Sequence, residues 1–253
     1  MSSIIEKLLE KGMDLAGNQV VTDLRVGLGY TAVEVSDRHV GLAYTFHHDI
    51  GPTCTAVKEA GEITGSATKQ LVGWIKKGDL LSHAVGLATL NALLQPYLPE
   101  SLGEDFLSFL KIGPHDRVGM VGFFAPLIKP IQRICGELLI FERETEKGKR
   151  LLDPEEIRLR LPPCSIVILS ATTLINQTFD EITKYLGGAR EVVLLGPSAP
   201  LVPDLFEETP ITYLAGIRMV NGKRSLKIVS EGGGTQRLTN SGSVKKLVVP
   251  SRK

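Results

Sequence analysis

The sequence predicts an α/β protein in two parts, an N-terminal α+β domain over residues 1–103 and a Rossmann-like α/β domain over residues 104–253. In the first part, three segments with alternating apolar residues are separated by short breaks, a pattern typical of an antiparallel meander. In the second part, short apolar runs alternate with helical patterns, which indicates a mainly parallel sheet with right-handed crossovers. The predicted strands are residues 20–28, 30–36 and 40–46, then 118–121, 138–141, 165–169, 191–195 and 211–214.

Helical patterns surround the predicted meander. Residues 3–13 carry apolar residues at helical spacing, so we expect one face of a first helix to point inward. Ser66 is placed to cap a helix over residues 67–77, and residues 80–94 form a nearly uncharged helix that we expect to be buried on most faces. Proline and glycine residues between 96 and 103 indicate the link to the second domain.

The second domain begins with the order of elements that opens a Rossmann-like sheet. A buried strand ends at Gly122, a helical pattern follows, and the next strand ends at Glu142. Glu142 lies 20 residues after Gly122, about where such folds place an acid on a ribose hydroxyl. The full G-x-G-x-x-G fingerprint is absent, because the spacing is Gly119-x-x-Gly122-x-x-Ala125, and this counts against dinucleotide binding.

The rest of the second domain is described by weaker patterns. A charged segment, residues 143–160, contains the helix-start pair Asp153-Pro154. We expect a helix over residues 176–185 and an edge strand over residues 226–229.

Composition excludes several classes of protein. The formal net charge is +1, with 29 basic and 28 acidic residues, so nothing in the charge favours a nucleic-acid or membrane partner. No apolar run approaches the roughly 18 residues needed to span a bilayer. The 3 cysteines are widely spaced, which predicts no disulfide framework and favours a reducing cytoplasm. A homodimer is the expected assembly, because two-fold dimers are the commonest oligomers.

Polar and small residues follow the carboxyl ends of four predicted strands. In open α/β sheets, ligands bind beyond these ends, so we expect these residues to form one ligand site in a cleft between the two domains. Glu142 is the candidate catalytic acid or base, although no nucleophile and base pair is evident and the cofactor is unknown. The candidate ligand-binding residues are Asn91, Gly122, Phe123, Phe124, Ser170, Thr172, Thr173, Asn176, Gly196, Pro197 and Ser198.

Several of these residues have a structural alternative. The serine and threonines after the third strand of the second domain could cap a helix, although a helix cap and a ligand contact are compatible. Asn91 lies in the apolar helix, where its amide must find either a backbone partner or a ligand. His47-His48-Asp49 resembles a metal cluster, but adjacent strand residues point to opposite faces and no C-x-x-C spacing exists, so no metal site is predicted.

Four segments of the chain resemble one family. They are GLATLNAL (86–93), DRVGMVGFF (116–124), LSATTLINQTFDEI (169–182) and LLGPSAPLVPDLF (194–206), and they resemble the uncharacterised two-domain family described as "putative heavy-metal chelation". The resemblance implies an enolase N-terminal-like domain followed by a Rossmann-like domain, with the site in the cleft between them. It also implies partial similarity of the second domain to Rossmann-type methyltransferases.

Three hypotheses for the function follow. In the first, a small polar molecule, heteroaromatic or nucleotide-like, binds in the cleft, and the protein makes or handles a metal-chelating compound such as a pterin, flavin or siderophore-like molecule. In the second, the protein is methyltransferase-like and binds S-adenosylmethionine. In the third, it is a non-enzymatic carrier of heavy metal that uses His47, His48, Asp49 and Cys54.

Overall fold

The computed structural model describes residues 2–51, 53–99, 106–142 and 154–251. The N-terminal part contains α1 (Ile4–Ala16), β1 (Val21–Val26), β2 (Tyr30–Val35), β3 (Val40–Tyr44), α2 (Thr68–Val72) and α3 (Leu80–Leu94). The C-terminal part contains α4 (Leu107–Leu110), β4 (Arg117–Val121), α5 (Ala125–Gln132), β5 (Glu137–Phe141), α6 (Ile157–Arg160), β6 (Ile166–Ser170), α7 (Phe179–Thr183), β7 (Glu191–Leu195), β8 (Tyr213–Met219), α8 (Gly222–Ser230), α9 (Thr235–Asn240) and β9 (Val244–Pro250).

The first helix starts where its sequence provides a cap. Ser3 Oγ accepts a hydrogen bond from Glu6 N (3.3 Å), and Glu6 Oε2 accepts one from Ser3 N (3.1 Å). This reciprocal pair satisfies two backbone donors that the helix itself leaves unpaired. Helix α1 buries Ile4 and Leu8, which confirms the predicted inward face.

The N-terminal sheet is the predicted antiparallel meander, with strand order β1-β2-β3. Helix α3 packs on β3 so closely that a Cβ at Gly41 would lie 2.1 Å from Ala88 O. Glycine is therefore required at position 41. All but one of the residues of α3 are buried, as its uncharged sequence predicts.

The C-terminal sheet has the strand order β5-β4-β6-β7-β8-β9, in which β9 alone is antiparallel to its neighbour. Counted along the C-terminal part, the parallel strands have the order 2-1-3-4-5. In such sheets the chain reverses its direction of progress between the first and third strands, and ligands bind at that switch point. Here the switch point lies between β4 and β6. The predicted fold class, with an antiparallel sheet followed by a mainly parallel one, is confirmed.

Two predicted helices are shorter than expected. The helix over 67–77 is α2 followed by a 3-10 turn (Gly73–Lys76), and Ser66 does not cap it, because its hydroxyl donates to Glu62 O instead. The helix over 176–185 is only α7. Asn176 Oδ1 accepts hydrogen bonds from the Thr178 backbone and hydroxyl, and Gln177 has a φ of 58°, so the chain turns before it becomes helical.

The predicted edge strand over residues 226–229 is wrong, because these residues belong to helix α8. Asn221 Oδ1 accepts a hydrogen bond from Arg224 N (3.0 Å), which starts the helix. The edge strand is β9 instead. The proposed domain boundary after residue 103 and the helix start at Asp153 both lie outside the described residues.

Buried polar side chains join the two parts. His83 Nδ1 lies 2.8 Å from Ile175 O, and Gln95 Oε1 accepts a hydrogen bond from Met219 N (2.8 Å). Asn91 Nδ2 donates to both Leu42 O and Ser198 O. These bonds hold the meander over the carboxyl ends of the parallel strands. Within the described ranges, no helix combines the length and the apolar character that crossing a membrane requires.

Candidate functional site

A cavity of about 680 Å³ lies between the meander and the carboxyl ends of the parallel strands. Its volume is in the range of typical small-molecule sites, about 300–1,000 Å³. The N-terminal part forms one wall, which we call the roof, and the strand ends and the start of α5 form the opposite wall, which we call the floor. We call this space the cleft.

The roof is a row of three aromatic rings. Tyr30 and Tyr44 are cross-strand partners on β2 and β3, and Phe46, two residues after the end of β3, lines the cleft beside Tyr44. The ring centroids of Tyr30 and Tyr44 are 6.2 Å apart at an interplanar angle of 86°. Those of Tyr44 and Phe46 are 5.1 Å apart at 88°. These edge-to-face contacts fix the rings against one another, so the roof is preorganised.

The floor begins at Gly122, directly after β4. Gly122 N donates to Phe141 O (2.9 Å), and its φ is 100°, a backbone conformation that L side chains rarely adopt. A Cβ at this position would lie 2.8 Å from Ser170 Cβ. Glycine therefore lets the ends of β4 and β6 approach each other, and the chain then passes through Phe123 and Phe124, which line the cleft before α5 begins.

A pair of hydroxyl groups lies at the end of β6. Ser170 Oγ and Thr172 Oγ1 are 2.7 Å apart, and Ser170 Oγ also accepts a hydrogen bond from Thr172 N (3.3 Å). Thr173 Oγ1 donates to Ser170 O (2.7 Å) and is buried. The predicted capping role is thus present, and Ser170 and Thr172 still line the cleft.

A second cavity, of about 750 Å³, lies on the other side of this hydroxyl pair. The two cavities share one wall, which is formed by Phe46, Gly122, Glu142, Ser170 and Thr172. Near the second cavity's rim, Glu181 accepts hydrogen bonds from Lys184 and from the Tyr185 hydroxyl, and these lower the pKa of the Glu181 carboxyl. Glu181 is therefore held as a carboxylate at neutral pH.

The structure brings most of the predicted site residues together. Those that line the cleft are Gly122, Phe123, Phe124, Glu142, Ser170, Thr172, Gly196, Pro197 and Ser198. Thr173 and Asn176 line only the second cavity. Asn91 lies in neither, because its amide nitrogen bonds to Leu42 O (2.9 Å) and Ser198 O (3.1 Å). Ser198 is buried, and its Oγ accepts a hydrogen bond from Tyr44 N (2.9 Å).

Titratable groups lie at several points of the cleft. Glu142 is half-buried at the end of β5. Burial raises the pKa of the Tyr30 hydroxyl, which lies 2.5 Å from Thr235 Oγ1. His47 Nδ1 is buried and has no hydrogen-bond partner among the described residues.

Sequence reasoning missed the roof and the far end of the cleft. Tyr30, Tyr44 and Phe46 lie in the predicted strands and follow the alternating pattern that core residues also show, so only the packing of the two parts reveals that they face a cavity. Thr235, Thr239 and Lys246 line the end of the cleft near β9, in a segment whose structure the sequence left undefined.

The described residues contain no group of three or more His, Cys, Asp and Glu side chains placed to hold a metal ion. The rings of His47 and His48 have centroids 3.8 Å apart in a 3-10 turn (His47–Asp49), and Cys54 is exposed. The two rings of this turn are in contact at an interplanar angle of 42°, beside the cleft that both residues line.

Comparisons with known proteins agree with this architecture. Residues 105–248 match the DUF364 family and residues 6–94 match the DUF4213 family, both described as "Putative heavy-metal chelation". An uncharacterised protein of Methanocaldococcus jannaschii is 29% identical over 153 residues, which span 58% of this chain and 59% of that protein's length.

Two solved structures of DUF364 proteins of unknown function share the fold. The one from Pyrococcus horikoshii superposes with a TM-score of 0.85 at 22% identity, and covers 98% of this chain and 99% of its own. The one from Desulfitobacterium hafniense superposes with a TM-score of 0.81 at 20% identity, and covers 97% of this chain and 98% of its own.

Proposed function

Because this chain belongs to the DUF364 family, described as "Putative heavy-metal chelation", we propose that its cleft binds a small polar molecule with a flat heteroaromatic ring. The protein would make or handle a metal-chelating compound of the pterin, flavin or siderophore-like type. The observation that carries the proposal is the cavity of about 680 Å³ between an aromatic roof and polar strand ends.

The aromatic residues of the cleft favour a ligand with a planar ring. Tyr44 and Phe46 lie above the cleft, and Phe123 and Phe124 lie at its floor. A ring inserted between them gains contacts of the aromatic type, each worth about 0.5–1.5 kcal/mol beyond the burial of its apolar surface. Aliphatic ligands would lack this contribution.

The polar residues of the cleft would form hydrogen bonds with the edge of such a ring. Ser170 and Thr172 lie at the switch point of the sheet, where open α/β folds bind ligands. Glu142 lies at the end of the neighbouring edge strand β5 and would hold a hydroxyl or ring N–H. If a reaction occurs, Glu142 would be its general acid or base.

The family description is compatible with a small chelator. Flat heterocycles with adjacent nitrogen and oxygen donors bind metal ions themselves, so the protein need not supply the ligands. The described residues offer no cluster for direct chelation. The metal would thus reach this protein with the small molecule.

Isothermal titration calorimetry with riboflavin, neopterin and adenosine tests this proposal. We expect at least one ring to bind, and Thr172→Val and Glu142→Gln to weaken its binding about tenfold each, since one lost hydrogen bond to a bound ligand is worth about 1.4 kcal/mol. Glu207→Gln, at an exposed site outside both cavities, is the matched control and should bind as wild type does. Absence of binding for all three rings, and for riboflavin 5′-phosphate and AMP as well, would contradict the proposal.

S-adenosylmethionine is a second candidate ligand, and one observation favours it. Glu142 follows the strand next to β4 in parallel register, the position from which an acid binds a ribose. Titration of the cofactor into protein that has been unfolded and refolded to remove bound molecules tests this candidate. A heat of binding that wild-type protein shows and Glu142→Gln lacks would support this candidate. No heat of binding with wild-type protein would exclude it.

A further inference from the structure

We propose that the end of the cleft at Lys246 is an anion subsite, which binds the phosphate or carboxylate at one end of an elongated ligand. This inference rests on the proposed function and adds to it the charge, the length and the orientation of the ligand. The ring would lie beneath Tyr44 and Phe46, and the anionic end would lie beside β9.

The cleft is long enough for more than one ring. It extends from Glu142, after the edge strand β5, to Lys246 on the opposite edge strand β9. Five inter-strand spacings separate β5 from β9, which at about 4.8 Å each gives a length of about 24 Å. A single heterocycle therefore fills only part of the cleft, which leaves room for an extended substituent on the ring.

The charges of the cleft differ between its two ends. Lys246 is exposed to the cavity side of β9, and no described residue forms an ion pair with it. The carboxylates that line the cleft are Glu142 at the other edge and Asp49 in the turn that follows Phe46. An anionic group is therefore attracted towards β9 and repelled from β5.

Hydrogen-bond donors accompany the ammonium group. Thr239 is half-buried and lines the same end of the cleft. The hydroxyls of Tyr30 and Thr235 lie 2.5 Å apart beside it, and burial raises the pKa of Tyr30, so its proton is retained at neutral pH. The ammonium group offers three donors, the Thr239 hydroxyl can donate one more, and the Tyr30–Thr235 pair keeps one proton free beyond the bond between them, so together they can bind an oxyanion with several acceptor oxygens.

The test compares each ring with its phosphorylated form. Riboflavin and riboflavin 5′-phosphate form one pair, and adenosine and AMP form the other, in calorimetric titrations at low salt. For the ring that binds, we expect the phosphorylated form to bind about tenfold more tightly. We expect Lys246→Gln to remove this advantage and to leave the affinity for the uncharged ring unchanged.

Lys245→Gln is the matched control. Lys245 is the preceding residue on β9, is also exposed, and does not line the cleft. This variant has the same net charge as Lys246→Gln and should keep the full phosphate advantage. In 0.5 M salt the advantage should shrink in wild-type protein, because screening weakens charge interactions.

The outcomes separate the two proposals. Two results would overturn the anion subsite and leave ring binding in the cleft intact. One is equal affinity for the two members of a pair. The other is an equal loss of the phosphate advantage in Lys245→Gln and Lys246→Gln. If no ring and no phosphorylated ring binds, the proposed function fails, and the subsite fails with it. A phosphorylated ring that binds while its uncharged form does not supports the subsite, provided that Lys246→Gln abolishes the binding.

Discussion

Replacing Asn91 by leucine should destabilise the protein without removing a ligand contact. Asn91 is 6% exposed, and its amide nitrogen donates to Leu42 O on β3 and to Ser198 O in the turn after β7. Leucine has a similar volume but no donor. Each buried carbonyl left without its partner costs about 1–3 kcal/mol, so for the two carbonyls we expect a total loss of about 2–6 kcal/mol.

Urea denaturation followed by circular dichroism measures this loss directly. At about 2–4 °C per kcal/mol for a chain of this size, the thermal midpoint should fall by about 4–24 °C. Asn18→Leu, at an exposed turn position, is the control and should stay within about 0.5 kcal/mol of wild type. If Asn91→Leu keeps the wild-type stability but loses ring binding, Asn91 is a ligand contact and our account of the interface is wrong.

Three other perturbations test separate parts of the structure. Gly122→Ala should lower the free energy of unfolding by about 1–3 kcal/mol, because alanine is strained at a φ of 100°, and a wild-type urea midpoint would contradict this. Hydrogen bonds from Arg190 hold the pKa of Asp116 well below its usual range, so the stability from this pair is present above pH about 4 and is lost as the pH falls further. Asp116→Asn should therefore lower the free energy of unfolding by about 1 kcal/mol at pH 7, a value kept small by the solvent exposure of Arg190. The difference in stability between wild type and this variant should narrow at pH 3, and a difference that does not change with pH would refute the pairing. Burial raises the pKa of the Cys164 thiol to about 11, so a thiol reagent at pH 8 should modify exposed Cys54 quickly and Cys164 only after unfolding. Equal rates of modification of the two cysteines in the folded protein would show that Cys164 is accessible.

The sequence predicts the sheets well because their signals are local. Apolar runs such as that before Gly122 end at sharp breaks, and their alternation with helical patterns specifies parallel pairing. Helix α8 was mispredicted because three of its buried apolar residues lie within four positions, which resembles a short strand. The cap at Asn221 was the signal that could have corrected the prediction.

The two walls of the cleft differ in how far the sequence predicts them. The floor could be predicted, because the carboxyl ends of parallel strands meet at one edge whatever the details of packing. The roof could not, since the position of Tyr44 and Phe46 over that edge depends on how the N-terminal part docks. Lys246 was missed for a similar reason, because only the antiparallel addition of β9 brings it to the cleft.

The location of the ligand is the central claim, and a crystal structure tests it most directly. The protein should be co-crystallised with whichever of riboflavin, neopterin and adenosine binds most tightly in calorimetry. We predict electron density for the ring between Phe46 and Phe124, at the ends of β4 and β6. A ring bound on another surface, with the cleft filled only by solvent, would contradict the claim.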